Sequence, residues 1–217
     1  MTGARRIALI GCVALALSPG LAGAASVLFD NGADLQVDTP TSGIDPLDQV
    51  SDDFALGSPA SLTSVSFGEN TVSAIRENSV APVPLSVQWS IGTTPFSGNV
   101  ASGTAPVNAT FEGQVAGTTR VWNFSSSFAL PGLALGAGTY WLTLGNGTDT
   151  GLLQEPAWST SDATAGNAET LPAGSSASAL GYEMAFQIFG TPSVPEPASL
   201  GLVALGPAAL ALARRRR

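Results

Sequence analysis

Asp30, Asp34, Asp38, Asp45, Asp48, Asp52 and Asp53 crowd seven carboxylates into 24 of the 217 residues. An oxygen-only set of this kind suits a hard cation such as calcium, which takes roughly six to eight oxygens from Asp, Asn and backbone carbonyls. Asp30-Asn31-Gly32 follows an expected opening strand and Asp52-Asp53 precedes Phe54, so Asp30, Asp52 and Asp53 are the candidate ligands. The spacing is not that of an EF-hand loop, because no Asp-x-Asp-x-Asp-Gly series leads to a closing glutamate. The plainer reading is a set of solvated turn acids, with Gly32 supplying positive φ in an Asp-Asn-Gly turn. Adjacent acids on a strand point to opposite faces, so Asp52 and Asp53 can share an ion only if the chain bulges between them.

Other chemistry is scarce. The chain has no histidine and no lysine, and its single cysteine is Cys12. That removes Ser/His and Cys/His nucleophile pairs, the commonest zinc ligand, and Schiff-base or Ser/Lys mechanisms. Neither a Gly-x-Gly-x-x-Gly phosphate loop nor a Gly-x-Ser-x-Gly elbow occurs. A two-carboxylate glycan-active enzyme remains chemically open, yet nothing in the sequence selects a pair of acids for it. No catalytic residue is assigned, and a non-enzymatic protein is expected. Four tryptophans could form a sugar-stacking platform or fill a core. Trp89 and Trp122 share faces with aliphatic and aromatic residues and read as core. Trp141 alternates against Tyr140 and Leu142, and Trp158 lies in the polar run from Glu155 to Ala163, so these two are the candidate surface aromatics.

The charges are distributed by region. Arg5 and Arg6 open the chain and Arg214, Arg215, Arg216 and Arg217 close it. Between Ser26 and Gly190 only Arg76 and Arg120 stand against fifteen carboxylates, a formal charge of −13. Nucleic acid is excluded as a partner, since phosphate binding needs a cationic footprint. Cations and neutral sugars are the compatible ligands.

The elements that position these residues read as strands. Apolar and polar residues alternate in short runs bounded by Gly, Pro, Asn and Asp: Leu85, Val87, Trp89 and Ile91; Val107, Ala109, Phe111, Gly113 and Val115; Trp122, Phe124, Ser126 and Phe128; Tyr140, Leu142 and Leu144; Tyr182, Met184, Phe186 and Ile188. Val27 to Phe29, Asp53 to Leu56 and Leu62 to Gly68 are earlier candidates. Gly and Pro interrupt every candidate helix of the body. The expected fold is all-β, an antiparallel β-sandwich over residues 26–190 of jelly-roll type.

Both ends read as addresses. Residues 1–25 form a signal-peptide helix, with Arg5-Arg6 as the cationic region, Ile7 to Leu17 as the apolar region, and cleavage after Ala24 or Ala25. Cys12 lies too close to Arg6 to be an acylated first residue, so the exported protein carries no thiol and no disulfide. After a linker at 191–194 come Pro195-Glu196-Pro197, an uncharged stretch over 198–213 and four arginines. Sixteen residues of helix span roughly 24 Å, against a hydrocarbon core of roughly 30 Å. A single transmembrane helix is therefore expected at 198–213, with the arginine tail cytoplasmic and the body outside.

This order of Pro-Glu-Pro motif, short apolar span and arginine cluster resembles the PEP-CTERM sorting signal of Gram-negative bacteria. The resemblance implies processing by an exosortase, a membrane-embedded transpeptidase-like enzyme that cuts near the Pro-Glu-Pro motif. It implies transient insertion in the inner membrane, with the body in the periplasm, followed by delivery to the cell surface or beyond. It also implies a role alongside exopolysaccharide in biofilm or extracellular matrix. The outline of the body, from Asp30-Asn31-Gly32 and Asp52-Asp53-Phe54 to Glu183-Met184-Ala185-Phe186, is similar to exported sandwich domains carried ahead of such tails. A calcium-dependent carbohydrate-binding or adhesive module is the alternative.

Overall fold

The protein is described from a computed structural model, in which residues 25–34, 42–72, 81–115, 118, 120–151, 155–163 and 166–193 are placed. The signal helix with Ala24, the motif Pro195, Glu196 and Pro197, the 198–213 span and Arg214 to Arg217 lie outside the described residues; Ala25 is exposed at the start of the described chain.

Every regular element among the described residues is a strand. In chain order they are β1 (Ser26–Asp30), β2 (Ser42–Gly43), β3 (Asp48–Leu56), β4 (Ala60–Val72), β5 (Pro84–Gly92), β6 (Ala101–Pro106), β7 (Asn108–Gln114), β8 (Val121–Leu135), β9 (Gly138–Asp149), β10 (Ala157–Trp158), β11 (Glu169–Pro172), β12 (Ser178–Ala179) and β13 (Phe186–Pro192). All pairings are antiparallel and form two sheets. The first runs β7-β8-β4, and the far edge of β4 is shared by β13-β1 along Ala60 to Phe67 and by β10-β2 at Glu69 and Asn70. The second runs β12-β11-β3-β9-β5-β6. The long strands thus lie in the orders β1-β13-β4-β8 and β3-β9-β5-β6, the interleaved double Greek key of a jelly roll.

Side-chain alternation explains why the two sheets face each other. Val50, Asp52, Phe54 and Leu56 of β3 turn inward, as do Val65 and Phe67 of β4, Val87, Trp89 and Ile91 of β5, and Leu142 and Leu144 of β9. Together with Phe128, Phe186, Ile188 and Trp158, all of these but Asp52 form one hydrophobic core spanning both sheets. Eight rings connect through this layer in sequence: Tyr140, Phe54, Phe29, Phe186, Trp158, Phe67, Phe128 and Trp89, with successive centroids 5.4 to 6.4 Å apart. Tilted and edge-on contacts at this range, with Trp89 stacked on Phe128 at the end of the series, add to the burial of apolar area.

Several expectations are corrected. Leu85 does not share the buried face of Val87, Trp89 and Ile91; it is 49% exposed, because the register of β5 on β9 slips on both sides of Ser86. Phe111 is 52% exposed on the edge strand β7, where it contacts Phe124 and the half-buried Trp122. Those two tryptophans read as core therefore divide, with Trp89 inside the main cluster and Trp122 outside it. The linker at 191–194 begins inside a strand, since Thr191 and Pro192 of β13 still pair with Ser61 and Ala60.

Trp158 is the largest correction. It is fully buried rather than at the surface, pinned by its pairing with β4 and by Nε1 donating to the Ala185 carbonyl at 3.0 Å. Its contacts with Phe67 and Phe186 make it the middle of the ring series. Trp158→Ala is expected to destabilise the fold by about 3–5 kcal/mol, measured as the fall in the urea unfolding free energy.

Candidate functional site

β3 carries two of the three candidate ligands at a place where its neighbour leaves it. β11 pairs with β3 only from Asp48 to Ser51, so beyond Ser51 that edge is open to the segment around Asn167 and to Glu183. One carboxylate oxygen each from Asp52, Asp53 and Glu183 lie within 4.8 Å of one another. Asp52 points into the core and is fully buried, whereas Asp53 and Glu183 are half-buried. The alternation rule for Asp52 and Asp53 holds along the strand, yet no bulge is needed for both to reach a common partner. Glu183 meets them at the open edge.

Asn31 joins the trio. Its Nδ2 donates to Asp52 Oδ2 at 2.9 Å, to Glu183 Oε2 at 3.2 Å and to the Met184 carbonyl at 3.1 Å. Met184 N–H donates to Asp52 Oδ2 at 2.7 Å, and Asp53 N–H donates to Asp52 Oδ1 at 2.9 Å. Asn167 holds the outer side, with Nδ2 donating to Asp53 Oδ1 at 3.1 Å and its N–H donating to Glu183 Oε1 at 3.3 Å. Three carboxylates with two amide side chains form an oxygen-rich, hard-cation type of arrangement.

Asp30 is not part of it. Its Oδ1 accepts from Gly32 N–H at 3.1 Å and its Oδ2 from Gln187 Nε2 at 2.8 Å, while Gly32 has φ of 90°. The Asp30-Asn31-Gly32 segment is thus a turn, as the plainer reading has it, and the turn delivers Asn31 rather than Asp30 to the acids. Asn31, Asn167 and Glu183 were not among the candidates. Their distances along the chain from Asp52 leave no local spacing signal for them.

The surface aromatics do not form a platform. Trp158 is interior, and Trp141, half-buried in mid-sheet, pairs with Asp53 on one side and Gly92 on the other. A groove of about 310 Å³ opens on the outer face of the first sheet, with Ser66, Gly68, Ser125 and Gln187 in its lining and Asp34 and Glu112 beside them. The rings of Phe67 and Phe186 that border it are turned to the core. It offers hydroxyls, an amide and carboxylates, with no ring for stacking.

Electrostatics single out Asp52 among the three acids. Burial pushes Asp52 up to about 9, reinforced by its hydrogen bond with Glu183 and by the Glu183 charge, and opposed by the Met184 and Asp53 N–H groups. Folded Asp52 therefore holds a proton that the unfolded chain has released once pH exceeds its ordinary value of 3.8. The associated stability is complete below that value and is lost as pH rises towards about 9. With chelator present, Asp52 is expected to contribute up to about 1.4 kcal/mol per pH unit to the fall of the urea unfolding free energy across this window, beside the share of Glu69 and Asp149, whose carboxyls burial also raises. Asp52→Asn is expected to make the slope shallower by that share and leave the rest.

The C-terminal residues give the comparison with known proteins. A family model described as the PEP-CTERM protein-sorting motif matches residues 193–217, taking in Pro195, Glu196, Pro197, the apolar stretch and the four arginines. Among curated proteins, none matches the sequence. The chain carries a PEP-CTERM sorting motif at its C-terminus, the mark of an exported protein recognised by an exosortase and sorted to the cell surface.

Proposed function

We propose that this chain is a non-enzymatic surface or extracellular-matrix protein. It is held in the inner membrane by its tail with the body in the periplasm, then cut by an exosortase near Pro195-Glu196-Pro197 and delivered outward to associate with exopolysaccharide. The observation that carries this reading is the sorting motif at 193–217, set directly after a completed fold. β13 ends at Pro192, so a cut at the motif leaves every described strand with the released body. A body of formal charge −13 with a hydroxyl-lined groove suits neutral polysaccharide better than an anionic polymer.

The test replaces Pro195, Glu196 and Pro197 together by alanine. In the producing cells the natural protein is expected to lose its C-terminal residues by intact mass and leave the membrane fraction, while the variant keeps its tail and stays. A natural protein that retains Arg214 to Arg217 at the cell surface refutes the processing. Failure of the processed protein to co-sediment with the cells' own exopolysaccharide refutes the polysaccharide association alone.

A second reading, a calcium-dependent adhesive module, is favoured by the Asp52, Asp53 and Glu183 oxygens within 4.8 Å. A calcium ion there displaces the proton of Asp52 and ties β3 to the segment before β13. Saturating calcium is expected to stabilise the protein by about 2.7 kcal/mol when free calcium is about 100 times Kd. The gain is read as a rise in Tm that chelator reverses and that Asp53→Asn with Glu183→Gln abolishes. A Tm indifferent to calcium and chelator removes this reading.

A further inference from the structure

Charge is segregated within the body. From Asn78 to Thr148 the chain carries only Glu112 and Arg120, which cancel, and every other charge between Ser26 and Gly190 lies outside that stretch. β5, β6, β7 and β8 fall within it, with all of β9 except its last residue, the buried Asp149. The topology gathers these strands on one flank. β7 is an edge of the first sheet with β8 beside it, and β6 is an edge of the second with β5 and β9 beside it. The chain passes from β6 to β7 through Val107 alone, so both edges belong to the same side of the sandwich. In the first sheet β4 follows β8, and its one acid, Glu69, is buried. In the second sheet β3, with Asp48, Asp52 and Asp53, is three strands in from β6. At one strand spacing per step that is roughly 14 Å, beyond a Debye length of about 8 Å at physiological ionic strength.

This flank is also where apolar groups meet solvent. Val83, Leu85 and Phe111, three of the five large apolar side chains exposed among the described residues, come from the uncharged stretch. The Leu85 carbonyl accepts from Val107 N–H at 2.9 Å, which sets Leu85 at the crossing between the two edges. Edge strands are ordinarily blunted by charge, a bulge or proline. β7 has Glu112 and a bulge between Phe111 and Gly113. β6 has neither: its register with β5 is unbroken from Ala101 to Pro106, and its proline is its last residue. Among the described residues no strand pairs with its far side. Bonded and unbonded residues alternate along an antiparallel pair. Counting back from Val107, the backbones of Ala105, Gly103 and Ala101 bond to β5, and those of Ser102 and Thr104 turn their N–H and C=O groups to the open side.

We propose that a second copy of this chain docks on this flank, β6 against β6 in antiparallel register about a twofold axis at Gly103. Ser102 of each copy then faces Thr104 of the other, and the outward N–H and C=O groups of both residues are satisfied. The contact is isologous, the same edge serving both copies, and it joins the two second sheets into one. The exposed faces of Leu85 and Phe111, on the same flank, supply apolar area to it. A second copy is the occupant that the charge distribution favours. Two bodies of formal charge −13 repel wherever their acids meet, and this uncharged edge is where they approach with those acids farthest apart. The inference is independent of the sorting reading and of Asp52, Asp53 and Glu183.

The test uses the full chain purified in mild detergent, its mass followed by sedimentation equilibrium over a dilution series with the detergent density-matched. A monomer–dimer equilibrium is expected. Thr104→Pro removes an N–H that points away from β5, and Ser102→Glu brings a carboxylate from each copy into the short ladder. Each is expected to weaken dimerisation by about tenfold or more, because every lost contact occurs twice across the axis. Val27→Glu, on the edge strand β1 at the opposite end of the first sheet, is expected to leave the equilibrium unchanged. Urea unfolding checks the fold of each variant; Ser102→Glu, whose side chain is exposed, carries the test if Thr104→Pro does not fold. A natural protein that is monomeric at every dilution overturns the proposal. So does a dimer that the folded β6 variants leave intact, or one abolished by Val27→Glu instead.

Discussion

The ring series from Tyr140 to Trp89 is the constraint on which the rest of this fold rests. No disulfide joins the described strands, whose sequence contains no cysteine, and no helix among the described residues covers a sheet face. Inter-sheet burial must therefore supply the cohesion, and the rings do so by contacting one another across β1, β3, β4, β5, β8, β9, β10 and β13. Once β3 and β13 are docked through Phe29, Phe54 and Phe186, the open edge of β3 has to face the turn at Asn31 and the segment holding Glu183. The acid trio is thus a by-product of where the aromatic layer sets the strands.

Much of this was legible from alternation, which follows directly from strand geometry. The faces containing Val87, Trp89 and Ile91, or Phe124 and Phe128, could be read because each strand is regular over that length. Leu85 was misplaced because a bulge changes parity without leaving a mark in composition. Trp158 was hidden for a different reason. Its strand has two residues and its neighbours Ser159, Thr160 and Ser161 are polar yet buried, held by bonds such as Ser159 N–H to the Gly68 carbonyl and Ser161 N–H to the Glu183 carbonyl. A polar run is read as surface unless its backbone partners are known.

The candidate site divides along the same line. Asp52 and Asp53 stood out as adjacent acids, and the Asp30-Asn31-Gly32 turn stood out by its chemistry. Which member of that turn reaches the acids depends on the turn's orientation, and the recruitment of Glu183 depends on β11 ending its pairing at Ser51. Both are tertiary facts. Glu69 was likewise one acid among fifteen until its place on the inner face of β4 separated it from those at the surface.

The register of β1 on β13 has a mechanical consequence. Ser26 pairs with Gly190, so the chain enters and leaves the sandwich at the same corner, and β13 lies between β1 and β4 as it exits. A pull on the residues after Ser193 runs along β13 and loads its hydrogen bonds to both neighbours in shear, all at once, instead of peeling them one by one. The β13 to β4 ladder alone extends from Phe186 to Pro192. A body drawn out against a tethered tail would yield last at that corner, so tension at the attachment point is borne by the strands that also carry Phe186, Ile188 and Phe67 into the core.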